Sequence, residues 1–202
     1  RHNIGFDLLD AWASAHSASF SISRLGDRAQ LSIKGRTIVL IKPSTYMNLS
    51  GKAVNYWLEK EKIEKGKNLV NVIGCNDCHS PKIMGPGEPQ IIPELRFSGY
   101  PSARPLQKAD SNVVKSGWGL VGSDLTAWVG PWGMSFAANI SSDATGIGNW
   151  TEAQFFTALR KGKYKGQETG RPLLPPMPWM NYKNMSDEDL RAIFYYLKTT
   201  KP

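Results

Sequence analysis

The chain contains two cysteines, and both fall in Cys75-Asn76-Asp77-Cys78-His79. Residues three apart share one face of a helical turn, so both thiols can reach the same edge of a bound group, with an imidazole beside them. A zinc ribbon needs a second pair of ligands, and the other two histidines, His2 and His16, lie far upstream. A disulfide across so tight a loop is strained and closes almost nothing. A thiol-exchange Cys-x-x-Cys matches less well, because no βαβ pattern surrounds it and a histidine follows at once. The arrangement is that of covalent haem c attachment, with thioethers at Cys75 and Cys78 and His79 as proximal iron ligand.

A second axial ligand must then be found, and no histidine follows His79. A methionine thioether favours ferrous iron and raises the potential. Of five methionines in this half, Met177 stands in Leu174-Pro175-Pro176-Met177-Pro178-Trp179, where three prolines stiffen the backbone. Met177 is the expected ligand and Met180 the fallback. Trp118, Trp128 and Trp132 are expected to wrap the haem.

Composition excludes little beyond extremes. At 202 residues the chain is one large domain or two small ones, and 41% hydrophobic content suits a folded protein. No apolar stretch approaches bilayer length. The net charge of +8 is spread along the chain without a basic block, so nucleic acid is not an expected partner. A redox partner protein is, and a basic surface would steer an acidic one.

The chain changes character near Ile63. Before it, Phe6, Leu9 and Ala13 recur at helical spacing, and residues 36–41 (RTIVLI) read as a buried strand closed by Pro43. A helix with Ser50 as N-cap is expected to bury Val54, Trp57 and Leu58 and to fray in the charged run EKEK. After it, a helix is expected from Glu64 to Gly74. Another opens at Thr151 with Gln154, and a last one at Ser186 with Asp189. The segment 80–148 reads as glycine- and proline-rich loop.

Two strings before Ile63, RHNIGFDLLD at the start and KPSTYMNLSG at 42–51, resemble peptidyl-tRNA hydrolase of the bacterial type. That resemblance implies a catalytic base at His2 and a substrate contact at Asn48, with Tyr46 and Met47 beside it. It covers only about a third of such an enzyme on the usual size of an α/β domain, and the family's orienting carboxylate has no counterpart here. An inactive remnant is therefore expected, with peptidyl-tRNA esterase activity as the alternative. Residues 64–202 resemble a monohaem class I-like cytochrome c, which implies an extracytoplasmic electron carrier or the electron-accepting subunit of a dehydrogenase. Gly66 is expected to permit close crossing of the last helix.

The combined expectation is a mainly α chain, a cytochrome c-like helical domain (64–202) around one haem, preceded by an incomplete α/β fragment (1–63). Since the two parts suit different compartments, an accidental join is expected. The first residue is Arg1, so either a leader has been removed or the sequence is not a natural mature protein.

Overall fold

Helical spacing at Phe6, Leu9 and Ala13 yields α1 (Ile4–Ala15), the first element of a computed structural model that describes residues 4–201. The chain divides into two units, Arg1–Glu61 and Lys62–Pro202, each with its own core. In the first, β1 (Ser21–Ser23), β2 (Gly26–Ile33) and β3 (Arg36–Pro43) form an antiparallel meander in the order β1-β2-β3. The β2–β3 hairpin turns on Lys34 and Gly35, both at positive φ, the backbone that matches the natural strand twist. Ala29, Leu31 and Leu40 bury against Ala13. Of the run expected as a buried strand, only Leu40 is fully covered.

A 3-10 turn at Met47–Leu49 leads into α2 (Ser50–Val72), so Ser50 is its first residue and not its cap. Ala53 and Trp57 are buried, whereas Val54 and Leu58, expected in the core, are exposed. The Arg28 guanidinium lies over the Trp57 ring and donates to the Glu61 carboxylate at 2.6 and 3.0 Å. The helix does not fray in EKEK. Glu and Lys are strong helix formers, and Ile63, Leu69 and Val70 further along are held in the second core.

The second unit takes residues 62–72 of α2, then α3 (Cys75–His79) and the short antiparallel pair β4 (Lys82–Ile83) and β5 (Gln90–Ile91). After α4 (Ser111–Lys115), β6 (Leu120–Val121), β7 (Ala127–Gly130) and β8 (Gly133–Phe136) build an antiparallel sheet. Helices α5 (Glu152–Lys161), α6 (Trp179–Tyr182) and α7 (Asp187–Leu197) complete it. The chain is therefore mixed α/β with three small sheets, which corrects the mainly helical expectation. The strands in 80–148 are two to four residues long, too short to show a period-two pattern.

Around the core, α5 contributes Phe155, Ala158 and Leu159, and α7 contributes Leu190, Ile193, Phe194, Tyr196 and Leu197. Thr151 and Gln154 make the full reciprocal cap at α5. At α7 only half of that device is present: Ser186 accepts from the Asp189 backbone at 3.1 Å, while the Asp189 carboxylate pairs with Lys65 at 2.7 Å. Gly66 allows α2 to press against α7. A Cβ there would stand 1.9 Å from the Ala192 carbonyl oxygen and 2.8 Å from the Tyr196 Cβ.

The β6–β7 turn is held by a buried carboxylate. Asp124 accepts from Arg104 Nη1 at 2.7 Å and from the Thr126 hydroxyl at 2.7 Å, with the Thr126 backbone at 3.2 Å. Burial alone would raise its pKa; the hydrogen bonds from Thr126 and Arg104 outweigh this and hold it below the ordinary carboxylate value.

Two outcomes follow in thermal unfolding followed by circular dichroism. Gly66→Ala should destabilise by roughly 1–3 kcal/mol, because overpacking outweighs the gain in helix propensity of about 1 kcal/mol. A rise in melting temperature would contradict the close crossing. Asp124→Asn should cost about 1–3 kcal/mol at neutral pH, the lower end of what a broken buried pair costs because Arg104 is partly solvated. The depressed carboxylate contributes fully above the ordinary carboxylate pKa and loses its contribution as pH falls through the lowered value. The gap between variant and parent should therefore begin to close near the ordinary carboxylate pKa, about pH 4, and vanish only below the lowered value.

Candidate functional site

Gly74 starts the site. At φ 75° it breaks the chain after α2 and caps α3, where a side chain would strike the Asp77 carboxylate. One short helix then carries Cys75, Cys78 and His79 together, both cysteines as free, half-buried thiols. Ser80 behind them is fully buried. Its hydroxyl accepts from the Phe97 backbone at 3.0 Å and donates to the Asn76 side chain at 3.1 Å, which Arg96 also holds at 3.1 Å. Lys82 crosses the end of α3 and donates to the carbonyls of Asp77 at 2.6 Å, Ser80 at 2.9 Å and Asp124 at 3.1 Å.

The imidazole of His79 is fixed from outside the motif. Its Nδ1 lies 2.8 Å from the Ala138 carbonyl oxygen, which can only accept, so Nδ1 carries the proton and Nε2 keeps its lone pair. Two backbone bonds brace that arrangement: Gly99 N–H to His79 O at 2.9 Å, and Ile140 N–H to Phe97 O at 2.8 Å. Burial holds the imidazole below its usual pKa, against the opposing Ala138 bond, and the nearby Lys82 charge adds to the lowering. The ring is thus neutral at physiological pH and offers a ligating nitrogen.

The thiols are shifted the other way. Burial first, and the Asp77 carboxylate second, push Cys75 up to about 12; the same two causes raise Cys78. Both are protonated at neutral pH. A reactive or metal-bound cysteine needs its thiolate, so this environment does not suit thiol exchange. Among the described residues no cluster of three or more His, Cys, Asp or Glu side chains could hold a metal ion by itself.

Cys75 packs on the core of the second unit alongside Ile140, Trp150, Phe156, Met177, Tyr182 and Met185, all of which keep part of their surface uncovered. The Tyr182 hydroxyl donates to the Ile73 carbonyl at 3.2 Å and closes the region from the α6 side. Met177 therefore shares a core with Cys75. Met180, at 55% exposure, is not among the side chains packed on it. Of the expected aromatic wrap, Trp118 is 71% exposed, and Trp128 is half-buried with Nε1 on the Leu125 carbonyl at 3.0 Å.

Asn48 is exposed in the 3-10 turn before α2, and His2 lies outside the described residues. The Ala138 carbonyl and Ser80 escaped the sequence reading. A backbone acceptor leaves no mark on composition, and a serine after the motif is too common a residue to signal its role.

The Peptidyl-tRNA hydrolase family matches residues 1–74. Over 72 residues the chain is 60% identical to the peptidyl-tRNA hydrolase of Phocaeicola vulgatus and 59% identical to that of Bacteroides fragilis, covering 36% of this chain and 38% of each relative. The Chlorobium luteolum enzyme is 45% identical over 83 residues, which is 40% of this chain and 42% of that protein. The chain thus spans well under half the length of these curated relatives. No solved structure matches it. The N-terminal segment resembles peptidyl-tRNA hydrolase, and that family match ends at Gly74, one residue before the cysteine pair.

Proposed function

We propose that the second unit attaches one haem c through Cys75 and Cys78 and works as a single-electron carrier, with His79 and Met177 as axial ligands. The observation that carries this reading is the His79–Ala138 hydrogen bond, which leaves a neutral imidazole with Nε2 as its ligating atom on the same short helix as two protonated, half-covered thiols. A carbonyl that accepts from the other ring nitrogen orients a ligating histidine and raises its basicity.

The residues present fit the group. Cys75 and Cys78 offer two thiols on one helical face for thioether formation. The partly uncovered apolar residues packed on the same core as Cys75 would provide apolar walls for the group. Met177 offers a thioether from a proline-stiffened loop packed on the same core. When bound, haem supplies a one-electron couple at its iron, whose potential the axial ligands and burial set. Attachment of this kind takes place outside the cytoplasm, so an extracytoplasmic location goes with it. No helix among the described residues is long and apolar enough to cross a membrane. The partner is a second redox protein.

A second reading rests on the similarity of residues 1–74 to peptidyl-tRNA hydrolases. It assigns this segment ester hydrolysis on peptidyl-tRNA, with His2 as base and Asn48 as substrate contact. The exposed position of Asn48 favours a remnant over a working site. Release of peptide from peptidyl-tRNA by the purified chain, abolished in His2→Ala, would favour hydrolysis instead.

The main reading is tested by exporting the full chain with a haem-c maturation system and staining a denaturing gel for haem. A stained band at 22.4 kDa is expected, lost in the Cys75→Ala/Cys78→Ala double variant. Met177→Ala should keep the stain and lose the weak far-red absorption of thioether-ligated ferric iron. An unstained parent band contradicts the proposal.

A further inference from the structure

The loop bearing Met177 is short of regular structure, yet it is anchored from several sides. Upstream, the Leu173 N–H donates to the Gly162 carbonyl at 2.7 Å, and Lys163 bridges to Pro172. Downstream, the Trp179 N–H donates to the Met177 carbonyl at 2.9 Å, and the Trp179 ring covers Gly162 so closely that a Cβ there would lie 2.3 Å from it. Arg160 holds the Lys183 carbonyl and pairs with Asp187 at 2.5 Å. Between these two sets of contacts the segment 174–178 is gripped by one further side chain, Ser135 of β8.

Ser135 is 8% exposed, and its hydroxyl donates to the Pro175 carbonyl at 2.6 Å. The same oxygen accepts from Trp132 Nε1 at 3.3 Å, so the hydroxyl's hydrogen is directed at the loop. The register of β8 explains why this serine is buried. Ser135 pairs with Trp128 across the β7–β8 ladder, and the hairpin closes at Gly130 and Gly133, with the Trp132 ring folded over Gly130. The sheet is thus a rigid mount for one hydroxyl whose acceptor lies two residues before Met177. Proline donates no backbone N–H, so in Pro175-Pro176 the carbonyls are the groups by which the loop can be held.

We propose that Ser135, oriented by Trp132, is a positioning residue for the Met177 sulfur, and that the β6–β8 sheet holds the thioether in place through the Pro175 carbonyl. This rests on the haem reading above. Without the serine hydroxyl the Pro175 carbonyl loses its partner, the loop samples positions with the sulfur withdrawn, and an external ligand competes for the vacated coordination position more easily.

The test is titration of the exported, ferric full chain with imidazole, followed by loss of the far-red thioether band. Ser135→Ala should bind imidazole about tenfold more tightly, the worth of roughly one hydrogen bond. Ser135→Thr keeps the donor and should restore the parent affinity. Trp132→Phe removes the orienting N–H and should shift it about threefold, on the weaker side for one hydrogen bond. Equal imidazole affinity in parent and Ser135→Ala, both showing the band, overturns the positioning role and leaves the haem reading standing. A parent chain with no covalent haem or no thioether band overturns the underlying reading and this proposal with it. Should Ser135→Ala fail to accumulate, Trp132→Phe decides: parent affinity there counts against the proposal.

Discussion

The hydrogen bond from His79 Nδ1 to the Ala138 carbonyl is the interaction on which the second unit's arrangement depends. It joins a five-residue helix to a segment some sixty positions later. It lies where residues 97–100 and 137–140 are laced together by backbone bonds. The Ile140 N–H holds Phe97, the Tyr100 N–H holds Ala137, and the Gly99 N–H closes on His79 itself. With those bonds made, the imidazole has one orientation and one tautomer. The buried Ser80 then satisfies the Phe97 amide, which burial would otherwise leave unpaired at a cost of about 1–3 kcal/mol.

A second layer of order comes from helix ends. Lys65 forms ion pairs with Glu188 and Asp189, which brings the second half of α2 to the N-terminus of α7 where negative side chains already complement the helix dipole. The absence of a Cβ at Gly66 lets the same two helices close up one residue further on. These exposed pairs are each worth little alone. Their value is in register, since they fix which turn of α7 meets Gly66.

Much of this was legible from the residues. The Cys75–His79 pattern, the Thr151–Gln154 cap and the apolar spacing of α7 each rest on local geometry that a sequence records directly. The sheets were not legible. A two-residue strand such as β6 has no periodicity, and the Trp128–Gly133 hairpin reads as a generic loop until its register is seen. The continuity of α2 was missed because a charged run looks like a terminus, although Glu and Lys propagate helices well and Leu69 and Val70 beyond them supply the burial. The Met177 loop was legible as stiff, but its mount on Ser135 depends on a contact forty residues away. On the hydrolase side, the strings at 1–10 and 42–51 pointed to the family that matches residues 1–74. The match runs past Ile63, as does α2.

The most direct measurement is the nitrogen NMR spectrum of the His79 ring in the uniformly nitrogen-labelled full chain, before any cofactor is attached. A neutral imidazole protonated at Nδ1, with Nε2 at the shift of an unprotonated ring nitrogen, is the predicted result at neutral pH. A ring protonated at Nε2, or one carrying both protons, would mean that the Ala138 carbonyl does not hold it, and the site as described would not stand.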